Sequence, residues 1–106
     1  METYLLQVSY TPEGAKGLKK DGGTKRRKAA EELIESLGGR MKALYFAFGD
    51  HDVFVIADMP DNVAAAAASV TLAATGAVTS KTTVLITPEE MDRATKKSAK
   101  YSPPGQ

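Results

Sequence analysis

Residues 3–10 (TYLLQVSY) alternate in polarity with a period of two. Tyr4, Leu6, Val8 and Tyr10 fall on one side and Leu5, Gln7 and Ser9 on the other, the repeat of a β-strand. The pattern breaks at Thr11-Pro12-Glu13. A threonine cap, a proline at the first helical position and an acidic first turn predict a helix start there. Gly14 and Gly17 weaken that helix, and Asp21-Gly22-Gly23 interrupts it. Thr24 offers a second cap. Ala30, Leu33, Ile34 and Leu37 then recur at helical spacing until Gly38-Gly39 stops the run. Residues 40–48 predict a second strand with Leu44, Phe46 and Phe48 opposite Met41, Ala43, Tyr45 and Ala47. Gly49 to His51 turn the chain. Residues 52–58 predict a third strand, with Val53, Val55 and Ala57 opposite Phe54 and Ile56.

A second helical stretch, VAAAAASVTLAAT (63–75), starts behind Asp61 or Asn62 as cap and ends at Gly76. Residues 77–87 form a more polar fourth strand, as suits a sheet edge. TPEE (87–90) then predicts a last helix. Thr87 caps it, Pro88 takes the first position, and Glu90 completes a capping box. Residues 98–106, ending SPPGQ, read as a flexible tail behind a domain of residues 1–97. The order βαββαβ plus a C-terminal helix is that of an α+β, ferredoxin-like domain. Such a domain has an antiparallel four-stranded sheet with helices on one face.

Helices on one face leave the other bare, yet the second and third strands are apolar on both sides. A strand that reads as a continuous apolar run is covered twice. Uncovered, this face would approach or exceed the ~300–600 Å² of the largest patches on ordinary monomers. A second copy, sheet against sheet and related by a two-fold axis, is the economical cover. A ligand cavity is the rival, and both can hold together. Alternation says which residues share a face, not which face meets the helices.

Gly49-Asp50-His51-Asp52, followed by VFVIADMPDNVAAAA, resembles the signature of the GYD-domain family. That signature runs glycine, often a variable residue, tyrosine, aspartate, an apolar strand, Pro-Asp and an alanine-rich helix. The likeness extends to TPEGAKGL, LGGRMKALYFAFG and TTVLITPEEM, and spans about residues 3–95. His51 stands where the family usually has tyrosine. The resemblance implies a ferredoxin-like subunit and a dimeric α/β barrel closed by two sheets. It supplies no established reaction.

Composition narrows the function classes. One domain is the expectation for 106 residues. A net charge of +1 gives no electrostatic case for nucleic acid or an anionic membrane. The chain has no cysteine, which removes disulfides, zinc-thiolate sites and thiol nucleophiles. The first ten residues lack the basic and apolar regions of a signal peptide, and no apolar run approaches the ~20 residues of a membrane span. The expected location is the cytoplasm.

Candidate chemistry centres on Asp50-His51-Asp52, because His51 is the single histidine. A general base with carboxylate partners or a metal site is one reading. In an extended segment, however, Asp50 and Asp52 share a face and His51 takes the other. A metal would want further imidazoles, so no metal is expected. The plainer reading is a turn in which Asp50 or Asp52 bonds local backbone N–H groups. The basic run KGLKKDGGTKRRKAAEE (16–32) has no P-loop spacing and reads as a solvated face offset by Glu31, Glu32 and Glu35. Within it, Lys16 is the residue to test. His51 and Asp52 are thus the candidate catalytic residues, and Lys16, Tyr4, Tyr45, His51 and Asp52 the candidate ligand contacts, with no cofactor expected.

Three function classes fit this pattern to different degrees. The first is a homodimer, with larger assemblies left open, that binds a small ligand in or beside the inter-sheet space. The second is a cofactor-independent oxygenase or isomerase acting on an aromatic or polyketide-like substrate, by fold analogy. The third, an RNA-binding module, shares the βαββαβ order, but VFVIADM does not match the required aromatic pattern. It is set aside.

Overall fold

The computed structural model describes residues 1–106. The elements run β1 (Glu2–Tyr10), α1 (Pro12–Asp21), α2 (Gly23–Ser36), β2 (Arg40–Phe46), β3 (Val53–Met59), α3 (Asn62–Ala74), β4 (Val78–Leu85) and α4 (Pro88–Thr95). The sheet order is β2-β3-β1-β4, and every neighbouring pair is antiparallel. The two edges are β2 and β4, so the more polar fourth strand does lie at an edge. No helix is long and apolar enough to cross a membrane.

Local signals set the helix ends. Thr11 Oγ1 accepts from the Gly14 N–H at 3.2 Å to start α1, and Asp61 Oδ1 accepts from the Ala64 N–H at 2.8 Å to start α3. The capping box of α4 is complete. The Glu90 N–H donates to Thr87 Oγ1 at 3.1 Å, and the Thr87 N–H to Glu90 Oε1 at 3.0 Å. At the end of α2, Gly38 takes φ +84. There the Gly39 N–H reaches the Ile34 carbonyl and the Gly38 N–H that of Glu35, the two bonds of a Schellman stop. Gly14 marks the tightest approach of helix to loop: a Cβ there would sit 1.9 Å from the Ala77 carbonyl oxygen.

The core is one-sided. Tyr4, Leu6 and Val8 of β1 and Val53, Val55, Ala57 and Met59 of β3 are buried against Ile34 of α2 and Ala65 and Ala68 of α3. The helices therefore cover the valine set of β3 and leave Phe54 and Ile56 on the other face.

One register differs from plain alternation. Alternation puts Met41 beside Ala43 and Tyr45, but a bulge between Met41 and Ala43 shifts β2 by one residue. Met41 lies opposite Ala57, and Leu44 opposite Val55, so both join the helix-covered side. The extra residue is Lys42, whose ammonium turns to Asp58 at 3.6 Å. A bulge places two residues against one and re-aims the side chains beyond it. The strand also stops at Phe46 instead of Phe48. The Ala47 N–H donates to the Asp52 carbonyl at 2.8 Å, and Phe48 is fully exposed beyond it.

Candidate functional site

The helix-free face has an apolar centre and two polar ends. Register places Leu5 between Ile56 and Thr83, Phe54 between Gln7 and Tyr45, and Ala43 beside Ile56. Leu5, Phe54 and Ile56 are half-buried, and Tyr45 is 71% exposed. Aromatic and branched side chains thus present flat apolar area that nothing in this chain covers.

At one end stands Asp58, buried although it belongs to the open face. Its carboxylate accepts from Thr3 Oγ1 at 2.8 Å and faces Arg40 Nη2 at 3.4 Å and Lys42 Nζ at 3.6 Å. The Thr3 hydroxyl bond holds its carboxyl below the usual carboxylate range, against the opposing effect of burial and with help from Lys42 and Arg40.

The other end carries Asp50-His51-Asp52, and the structure divides it. His51 Nδ1 lies 3.2 Å from Ser9 Oγ. Its ring meets Phe54 edge to face, with centroids 6.1 Å apart and planes at 88°. Both neighbours belong to the helix-free face. Asp52 goes the opposite way. Its Oδ2 accepts the Tyr10 N–H at 2.7 Å, beyond the last β1–β3 pair at Val8 and Val53. It lies beside Tyr10, Thr11 and Phe46 on the helix side. Asp50 is exposed. The three side chains do not converge, and no group of three His, Asp or Glu residues is placed to hold a metal ion. Asp52 pins the end of β1 from 42 positions away, where the turn reading expected a local backbone partner.

The remaining candidates are scattered. Tyr4 is in the helix-covered core, where its hydroxyl sits between the Glu2 carboxylate and the Asn62 side-chain amide. One phenolic proton serves only one of them, so the amide that faces it donates its own N–H if Glu2 accepts. Burial pushes the Tyr4 phenol up, and Glu2 and Asp61 add to the rise. Lys16 is exposed on α1. Lys25 and Arg26 from the basic run face Asp21 at 3.6 and 3.3 Å. Of the five residues put forward as ligand contacts, the fold therefore gathers two on the open face, Tyr45 and His51, joined by Phe54.

Sequence reasoning missed Ser9 and the Thr3-Arg40-Lys42-Asp58 group. Thr3 and Asp58 are 55 positions apart and meet only through strand register. One signal was present: Asp58 interrupts an otherwise apolar VFVIADM, and a carboxylate inside such a run needs partners.

Chemically, the His51 end offers a flat aromatic surface with one imidazole at its rim. With Nδ1 toward Ser9, Nε2 is the nitrogen left for a ligand. The strand order and one-sided helix layer define an α+β domain of the ferredoxin-like type. The chain belongs to the GYD-domain family, whose domain matches residues 4–95 of the 106. No curated protein and no solved structure matches it.

Proposed function

We propose that the protein is a homodimer packed sheet to sheet, which binds a small, flat, largely apolar molecule between the sheets beside Tyr45, Phe54 and His51. The uncovered apolar centre of the helix-free face carries this reading. The chain exposes 7596 Å², whereas a compact monomer of 11.3 kDa exposes ~5,700 Å². Part of the difference belongs to the extended C-terminal arm. The helix-free face, with its partly exposed Leu5, Phe54 and Ile56, also contributes. An apolar centre ringed by Gln7, His51, Lys81, Arg40 and Lys42 has the apolar-core, polar-rim composition of such a surface.

Light scattering at micromolar concentration tests the assembly. The wild type is expected at twice the subunit mass and Ile56→Asp at the single mass with its fold intact. A wild-type monomer would end the proposal.

The Ser9–His51 contact favours a second reading, in which His51 takes a proton from an aromatic or polyketide-like substrate held on Phe54. In that case His51→Gln abolishes turnover while binding of the same compound persists. Turnover surviving the substitution would exclude it.

A further inference from the structure

The helix side of the sheet holds a cavity that the core does not fill. It measures about 100 Å³. Leu6, Val53 and Val55 of the sheet line it, together with Ala30 and Leu33 of α2 and Leu72 of α3. Thirteen of its fourteen lining residues are hydrophobic, and the exception is Arg26. Close packing normally leaves no void of this size. Here alanines at positions 29 and 30 stand where α2 faces the sheet, and they leave the space open. At its rim, Tyr10 and Phe46 also line a wider groove that runs past Thr11, Ala15 and Leu18.

We propose that this cavity binds a small apolar carboxylic acid, with the hydrocarbon tail between α2 and the sheet and the carboxylate on Arg26. The walls select the tail: a cavity lined by hydrocarbon stays dry and accepts apolar molecules, and one of about 150 Å³ takes benzene. A space of this size holds a small ring or a short chain, and the groove admits its continuation. The single cation selects the head. Arg26 Nη1 meets Asp21 Oδ2 at 3.3 Å, and its side chain is 42% exposed. A guanidinium has five N–H donors, so this contact leaves several for a carboxylate, which it grips in two parallel bonds. Asp21 does not lose its only partner when Arg26 turns, because Lys25 Nζ stands 3.6 Å from its other oxygen. The Tyr10 hydroxyl, which lies beside Arg26, adds a donor at the mouth. This site is on the opposite side of the sheet from the inter-sheet space and stands whether or not the chain dimerises.

Methyl NMR of the full chain, titrated with hexanoate, hexanol and acetate, tests it. Hexanoate is expected to give saturable shifts centred on the methyls of Leu6, Val53 and Leu72. Hexanol is expected to bind more weakly at the same methyls, and acetate not at all. Arg26→Gln should weaken hexanoate by about tenfold, the loss of a charge-assisted bond at a half-exposed position, and leave hexanol unchanged. Ala30→Leu fills the space and should remove both; should that variant fail to fold, the Arg26→Gln comparison of acid with alcohol still decides. Absence of saturable shifts, shifts confined to Leu5 and Ile56, or equal loss of acid and alcohol in Arg26→Gln would overturn the proposal. Shifts at Leu5 and Ile56 alone would instead support the inter-sheet site.

Discussion

The two faces of β3 had equal claims to the core, and the fold treated them differently. Val53, Val55 and Ala57 lie under the helices and are at most 5% exposed. Phe54 and Ile56, the larger residues, point the other way and are only partly buried. Hydrophobicity alone would have buried the larger pair, since apolar stabilisation scales with area. Shape decided instead. β3 turns its two valines and its alanine toward the helices and its larger pair away from them. The bulky residues go to the face where another sheet, about 10 Å away, can interleave with them. On β3 the smaller residues at 53, 55 and 57 face the helices and the larger pair at 54 and 56 is left on the helix-free side.

The sharpest way to break that comparison is to place the same charge on each face. Val55→Asp buries an unpaired carboxylate beneath the helices. The expected loss of several kcal/mol rivals the whole stability of a small domain, so circular dichroism should show an unfolded chain. Ile56→Asp, one residue away, should keep its fold and lose only the partner of the proposed dimer. If both unfold, the helix-free face is as much a core as the other; if neither does, the strand assignment is wrong.

An intermediate effect is expected at the polar end of the open face. The Asp58 carboxyl is lowered from its ordinary value of 3.8 in the folded state. A group lowered by folding stabilises the fold above its unfolded value, and that contribution disappears as pH falls through the folded value. Urea denaturation should therefore show stability declining below about pH 4. Asp58→Asn should lose the part of that slope due to this residue while the rest of the acid transition remains. An unchanged slope would show that the Thr3-Arg40-Lys42 group does not hold the carboxylate.

The smallest expected effect is Tyr45→Ala. The ring is mostly exposed, so subunit stability should change by no more than about 0.5 kcal/mol. The dissociation constant of the proposed dimer should rise, because truncated interface aromatics weaken association by about 1–2 kcal/mol or more. Sedimentation equilibrium separates the two quantities. A large loss of subunit stability with no change in association would reverse the roles assigned to the faces.

Element types and the caps of α1, α3 and α4 were legible residue by residue, whereas α2 starts behind Gly22 with no side-chain cap and not at Thr24. Thr11-Pro12, Asp61 and Thr87-Pro88-Glu90 act within one turn of chain, where each side chain reaches the backbone it bonds whatever the rest of the protein does. The GYD-domain assignment was legible for a related reason, because ordered short matches survive without any knowledge of contacts. The candidate site was legible only in part. Tyr45 and His51 share the open face, but Tyr4 proved a core residue and Asp52 a strand pin. Nothing local to Tyr4 distinguishes its face from that of Leu5. The Met41 bulge was hidden because alternation assumes an unbroken ladder, while the Lys42 insertion is set by a partner strand and by Asp58.

By itself, then, the chain determined the order of its strands and helices, the caps of α1, α3 and α4 and the grouping of β1 and β3 residues into faces, since all of these depend on neighbours a few positions apart. Only the tertiary structure decided which group meets the helices, which carboxylate is pinned and which is ringed by cations, and where α2 leaves a void. Those outcomes rest on distances between residues far apart in sequence, such as Thr3 and Asp58 or Leu72 and Val53, which exist only once the sheet register and the helix positions are set together.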